Sequence, residues 1–290
     1  MTLTSLLLVV LAAFIHAGWN LLAKRAASAG PVFVLAFSLI AWVIYTPWVV
    51  WLIWRGGFAL SWTGAGVLLA SSVLHLGYNL CLQRGYQRAD LSVVYPVARG
   101  TGPMLSTLAA FVVFREPPTS AGVAGLIAVV GGIVLIATQG NIAAFRRPEG
   151  QAGVRWGLAT GGFIASYTVT DAMAVKMLGI APVVLDWVSN LLRVLMLLPM
   201  VLANPARARA AMRGHWITAL GVGILSPLSY ILVLTALTQG APLSLVAPMR
   251  EMSMMVGALM GMLILRETVG RWRLIGCAVL IGGVILLSQG

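Results

Sequence analysis

The chain has 290 residues, of which 60% are hydrophobic and 9% charged, and its mean hydropathy is +0.97. Those values lie outside the range of water-soluble domains. They exclude a soluble enzyme and turn the formal charge of +12 away from nucleic acid and towards the rim of a membrane.

Ten apolar runs follow, each long enough to cross roughly 30 Å of hydrocarbon; no ten-residue alternation of the β-barrel kind is present. Span 1 (about 3–23) contains "HAGWN", His16 to Asn20. It lacks a basic leader and is followed by Lys24 and Arg25, so a membrane span is expected and not a cleaved signal peptide. Span 2 (31–54) ends in tryptophans. Trp42, Trp48, Trp51 and Trp54, with Trp62, Trp156, Trp216 and Trp272, read as interface anchors. Span 3 (62–83) places His75, Tyr78 and Asn79 on one face. Its Cys81, like Cys277 far along the chain, reads as a packing residue.

Span 4 (90–114) holds "VVYPVARGTGP", Val93 to Pro103, which includes Tyr95. Arg99 falls near mid-membrane, where a charge needs a partner or a wet cavity. Pro96, Gly100, Gly102 and Pro103 surround it and predict an interrupted helix, of the kind tolerated where backbone lines a cavity. Span 5 (120–139) precedes the least apolar stretch, Gln139 to Arg155. This seam divides the chain into 1–140, a connecting loop at 141–154, and 155–290. Span 6 (155–175) carries Tyr167, Thr170 and Asp171; span 7 (181–203) carries Asp186, Asn190 and Arg193 along one face. Span 8 (216–236) contains Tyr230, span 9 (242–265) contains Pro248, Arg250 and Glu251, and span 10 covers 272–289.

The chain repeats itself at an offset of 152: "ADLSVVYPVARG" from Ala89 lines up with "APLSLVAPMREM" from Ala241. The same register pairs Lys24 with Lys176, Pro47 with Pro199, Tyr78 with Tyr230 and Gln87 with Gln239. It places Arg99 opposite Glu251. One residue later "FREPPT" meets "LRETVG", so that Glu116 corresponds to Glu267; both read as structural or gate-associated. Each half has five spans, an odd number, so the second half enters the membrane from the opposite face. The expected fold is an all-α polytopic membrane protein of ten transmembrane helices in two inverted five-helix repeats. Of the 19 basic residues, Arg99, Arg193 and Arg250 lie inside spans. Only Arg55, Arg115 and Lys176 flank spans on one side, and the remainder crowd the other. The positive-inside rule makes the crowded side cytoplasmic and puts both termini on the non-cytoplasmic side.

With its two five-span repeats, the "HAGWN" of span 1, the "YP" and "AP" of spans 4 and 9, and "RE…GG" in each half, the chain resembles the drug/metabolite transporter superfamily. Within it, the chain is similar to the ten-helix EamA-type branch, which includes exporters of amino acids, aromatic ones among them. The resemblance implies a secondary transporter of the inner membrane with a central cavity lined by spans 1, 3, 4, 6, 8 and 9, and with spans 5 and 10 at the periphery. Span 6 departs from the pattern, since "HAGWN" is replaced by roughly "ASYTV".

The cavity candidates are His16, Trp19, Asn20, His75, Tyr78, Asn79, Tyr95, Arg99, Tyr167, Tyr230, Arg250 and Glu251, with Asp171, Asp186 and Glu251 as candidates for coupling. The helix-break candidates are Pro96, Gly100, Gly102, Pro103 and Pro248. Two readings of Arg99, Arg250 and Glu251 stand side by side: a mixed-sign site for a zwitterion, or a structural pair that glues the repeats. The glycine pairs Gly131–Gly132, Gly282–Gly283 and Gly257–Gly261 read as close helix packing. The histidines lack carboxylates or thiols at ligand spacing, and no phosphate loop or hydrolase motif occurs, so neither metal, cofactor nor enzymatic activity is expected. The expected function is export of a small metabolite, most simply an amino acid, by alternating access in a bilayer-embedded monomer. The alternatives are another metabolite or organic anion and, outside the class, a channel or an intramembrane enzyme.

Overall fold

The computed structural model describes residues 1–56, 61–88, 91–141, 143, 148–265 and 270–289. Glu267, with the adjoining Arg266, lies outside the described residues. The described residues are mostly helical: α1 (Leu3–Arg25), α2 (Gly30–Trp54), α3 (Trp62–Arg88), α4 (Leu91–Val113), α5 (Ser120–Thr138) and α6 (Pro148–Lys176). Then come α7 (Pro182–Leu202), α8 (Pro205–Met212), α9 (Trp216–Thr238), α10 (Leu243–Met249), α11 (Met252–Leu265) and α12 (Arg271–Gln289). Seven of these helices are long and apolar enough to cross a membrane; α4, α6 and the split pair α10/α11 fall outside that group. α4 and α6 carry Arg99 and Asp171, α10 and α11 are each too short because the chain parts at Arg250–Glu251, and α7 holds Asp186 and Arg193 while remaining among the seven.

Several boundaries differ from expectation. The seam is partly helical, since α6 begins at Pro148 and not near residue 155. The basic stretch after span 7 forms α8, with Pro205 at its start and the Asn204 side chain accepting from Arg207 N–H at 3.1 Å. Ala208 and Met212 supply its buried residues.

The helices pair with two-fold regularity. α5 packs on α12; α4 packs on α6 while α11 packs on α1; α3 packs on α6 while α9 packs on α1; and α2 packs on α7. Contacts also fix the directions. Trp19 Nε1 on α1 donates to Ser229 Oγ on α9 at 3.2 Å, and Leu22, further along α1, faces Gly221, earlier on α9. The end of α1 therefore lies at the start of α9. The end of α6 lies instead just beyond the end of α9, where Lys176 Nζ donates to the Ala241 carbonyl at 3.4 Å. The first spans of the two halves point in opposite directions, as an odd repeat requires.

α5 and α12 are zipped by glycines. A Cβ on Gly125 would come within 2.8 Å of the Gly283 carbonyl oxygen, and one on Gly132 within 2.8 Å of the Gly276 oxygen. Absent side chains let the backbones touch, which in lipid replaces the missing hydrophobic drive. The signal was only half placed by sequence: Gly132 and Gly283 make these contacts, whereas a Cβ on Gly131, Gly282 or Gly257 would meet nothing within 4 Å. Gly132→Val should therefore overpack the seam and cost about 1–3 kcal/mol. Gly131→Ala should be neutral or stabilising by up to about 1 kcal/mol. Thermal unfolding in detergent separates the two.

One end of the bundle is held by Glu116, in the turn between α4 and α5. Its two oxygens accept from the N–H groups of Leu243 and Ser244 at 2.8 Å each, at the start of α10. Lys176 Nζ, at the end of α6, donates to it at 3.1 Å. Burial pushes the Glu116 carboxyl up, but the hydrogen bonds from Ser244, Leu243 and Lys176 outweigh it and hold the group below its usual range. The stabilisation is accordingly present above the ordinary carboxylate range and lost as pH falls through the depressed value. Glu116→Gln should cost about 1.5–3 kcal/mol at neutral pH. Thermal unfolding of both proteins at decreasing pH should show that gap closing in acid.

Candidate functional site

The site starts with a broken helix. Pro248 has no N–H to give the Ser244 carbonyl one turn back. Thr107 on α4 donates to that carbonyl instead, at 3.1 Å. Beyond Pro248 the ladder tightens to three-residue spacing, with Glu251 N–H on Pro248 O at 3.0 Å and Met254 N–H on Glu251 O at 2.9 Å. The span parts at Arg250–Glu251 into α10 and α11.

Span 4 does not follow the expectation drawn from its own breakers. α4 runs unbroken through Pro96, Gly100, Gly102 and Pro103. A proline removes one donor and leaves the rest of the ladder, and packed neighbours hold the helix on either side. The glycines serve contact: a Cβ on Gly102 would come within 2.6 Å of Ile164 on α6, and one on Gly100 within 3.4 Å of Val130 on α5.

Arg99 and Glu251, equivalent positions of the two repeats, meet on the pseudo-two-fold axis with Nε of Arg99 2.9 Å from Oε2 of Glu251. Arg250 Nε lies 3.9 Å from Oε1 of the same carboxylate. Glu251 is fully buried and both arginines nearly so. The contact is one of charge more than of aligned hydrogen bonding: both Glu251 oxygens and both Nε atoms lack a hydrogen-bond partner. Arg99 also reaches Ser253 Oγ at 3.4 Å through Nη2 and lies over the Tyr95 ring, 5.9 Å from its centroid.

A second cluster surrounds Asp171, which is fully buried on α6. Tyr230 on α9 donates its hydroxyl to Asp171 Oδ2, and His75 Nε2 on α3 faces the same oxygen at 3.8 Å. The His75 ring stacks on Tyr167 at 4.0 Å between centroids and meets Tyr230 edge-on at 5.8 Å. Tyr78 meets Tyr167 edge-on at 5.7 Å. Arg250 lies within electrostatic reach of both clusters. His16 packs edge-on against Trp19 at 4.7 Å and feels Arg99 and Arg250.

On α7, Asn190 Nδ2 donates to Asp186 Oδ2 at 2.8 Å, and Arg193 Nη1 donates to Asn190 Oδ1 and to Ser38 Oγ of α2, both at 3.4 Å. This stripe ties α7 to α2. Three interior arginines thus balance three interior carboxylates, which offsets part of the cost of burying them.

Two amide side chains are spent locally. Asn20 Nδ2 donates to the His16 carbonyl and Asn79 Nδ2 to the His75 carbonyl, each at 2.8 Å, and Asn20 is exposed. Trp42 is not an interface anchor: it sits in mid-helix, stacked on Trp187 at 5.8 Å. Thr107, Ser253 and Ser71, whose hydroxyl oxygen lies 3.4 Å from His75 Nδ1, are site residues that sequence reasoning missed. Small hydroxyls carry no spacing signal of their own; only the carbonyl left bare by Pro248 pointed to a donor such as Thr107. Among the described residues no group of three His, Cys, Asp or Glu side chains has metal-binding geometry.

A family model described as the EamA-like transporter family matches the chain twice, over residues 3–138 and 151–289. No curated protein matches. The fold is similar to that of a protein solved by crystallography, at a TM-score of 0.77 with 15% identity, covering 100% of this chain and 98% of that one. That likeness speaks for the fold; the family match speaks for the class. The chain belongs to the EamA-like transporter family, a family of membrane transporters of small molecules and not of enzymes.

Proposed function

We propose that the protein is a secondary transporter of the inner membrane that exports amino acids by alternating access. The observation that carries this reading is the buried cluster of Arg99, Arg250 and Glu251 on the axis between oppositely directed repeats. A dry site holding both signs of charge, with donor and acceptor capacity left over, suits a zwitterion: guanidinium for the carboxylate, carboxylate for the ammonium. His16, Trp19, Tyr78, Tyr95, Tyr167 and Tyr230 give aromatic surroundings for a side chain. Inverted halves can rock about such a site so that it faces each side in turn. The single chain contains both halves, so a monomer is sufficient. The distribution of basic loops puts both termini outside the cytoplasm; a C-terminal reporter active only in the periplasm supports that orientation, and a cytoplasmic signal reverses it.

Counterflow in proteoliposomes tests the substrate. Vesicles are loaded with one unlabelled candidate at a time among threonine, methionine, phenylalanine, glutamate, a nucleotide sugar and an organic cation. Transient accumulation of the labelled amino acid marks a carrier for it; counterflow only with the nucleotide sugar or the cation overturns the amino-acid reading. Removing one partner of the buried pair strands the other, so Arg99→Ala should lose transport and about 3–5 kcal/mol of stability. The charge swap Arg99→Glu with Glu251→Arg should recover folding, read by monodisperse expression, but not transport. Recovery of both makes the pair structural.

A further inference from the structure

The two halves join their second and third spans differently. In the first half, residues 55–61, seven in number, link α2 to α3, and Arg55 is their one basic side chain. In the second, residues 203–215, thirteen in number, link α7 to α9 and form α8, with Arg207, Arg209 and Arg213. The first half connects the equivalent spans without such a helix, so the span geometry does not require α8. Both α7 and α9 are long and apolar enough to cross a membrane, which holds α8 at the membrane surface.

α8 is seated by one face. Ala208 and Met212 are buried, and Met212 shares an apolar cluster with Ala26 and Phe33 of the first half and Val222 of the second. The three arginines flank that face and are exposed. Among the described residues none of them takes part in a salt bridge. Local helix stability does not account for them, because Arg207 stands in the first turn, where the helix dipole disfavours a cation. Just beyond α8, Trp216 and Ile217 are 58% and 86% exposed, and Leu220 and Ile224 continue the exposed apolar stripe along one face of α9. A cationic cap thus stands over an apolar stripe.

We propose that α8 and the start of α9 form a binding site for an anionic glycerophospholipid. The guanidinium groups of Arg207, Arg209 and Arg213 take the phosphodiester headgroup through paired N–H donors. An acyl chain lies along Ile217, Leu220 and Ile224, with the Trp216 indole at headgroup level. A free phosphate shares the headgroup chemistry but leaves the apolar stripe unused. Because Met212 is packed against both halves, a lipid held by α8 grips their joint at that end of the bundle. The site binds from whichever leaflet α8 faces, so it rests neither on the orientation of the chain nor on the amino-acid reading.

Full-length protein stripped of lipid in a neutral maltoside detergent is titrated with dioleoyl phosphatidylglycerol and, separately, with dioleoyl phosphatidylcholine. Native mass spectrometry counts retained lipid, and thermal unfolding reads stabilisation. Phosphatidylglycerol should be retained and should raise the Tm at concentrations where phosphatidylcholine does neither, and the difference should shrink as salt is added. Each of Arg207→Gln, Arg209→Gln and Arg213→Gln should weaken binding about fivefold, and the three together about a hundredfold. Arg207→Lys, Arg209→Lys and Arg213→Lys together keep the charge and should keep the preference. Arg84→Gln with Arg88→Gln, which removes exposed arginines at the end of α3, should leave it unchanged. Equal binding of the two lipids, or a preference that survives the triple Gln change, overturns the site. So does a preference lost equally with Arg84 and Arg88, or lost in the triple Lys variant, which marks α8 as a folding element. An equal Tm shift from inorganic phosphate alone makes α8 a simple anion site and overturns the lipid.

Discussion

A charge in hydrocarbon must find its counter-charge inside the protein, and in this chain neither half can supply it alone. Arg99 belongs to the first repeat and Glu251 to the second, and they are equivalent positions in the internal register. Equivalent residues touch only on a symmetry axis. The pair therefore lies where the oppositely directed halves meet, and its burial depends on both being inserted and docked. Arg250, one residue before Glu251, has Ala98 as its counterpart in the first half, so perfect symmetry ends at the axis itself. The asymmetry leaves an extra cation beside the Asp171 cluster.

The bundle divides its tasks between spans. α5 and α12 lock backbone to backbone through Gly125, Gly132, Gly276 and Gly283, which gives a stiff seam with little polar content. The spans that hold charge are stitched by side chains: Thr107 to the Ser244 carbonyl, Trp19 to Ser229, Tyr230 to Asp171 and Tyr45 to the Ile224 carbonyl. Contacts of this kind exchange partners more readily than packed backbone does. At one end, Glu116 gathers the turn after α4, the start of α10 and the end of α6 on a single carboxylate.

Breaks in the helices illustrate how local rules are overridden. Span 4 has two prolines and two glycines within eight residues and stays helical; span 9 has Pro248 and parts. What differs is the company each keeps. α4 lies closely along α6, with Gly102 accommodating Ile164, so its surviving ladder is clamped. At Arg250–Glu251 the chain must deliver a carboxylate to Arg99 and a guanidinium towards Tyr167 and Tyr230, and the ladder gives way to shorter-range bonds.

Sequence alone was sufficient for what depends on transfer energy and count: the number of the spans, the 152-residue register, the opposite direction of the halves, and the identity of the interior charges. Each follows from the cost of placing a residue type in lipid or from the parity of five. The meeting of Arg99 with Glu251 was legible for the same reason, because symmetry turns a sequence offset into a place. Tertiary structure alone decided that Asn20 and Asn79 turn back onto their own helices, that Gly132 and not Gly131 touches the neighbouring backbone, and that the His75 ring faces Asp171. These depend on helix rotation and on competition between alternative hydrogen-bond partners. Those differences are settled by packing over the whole bundle, and no spacing along one helix records them.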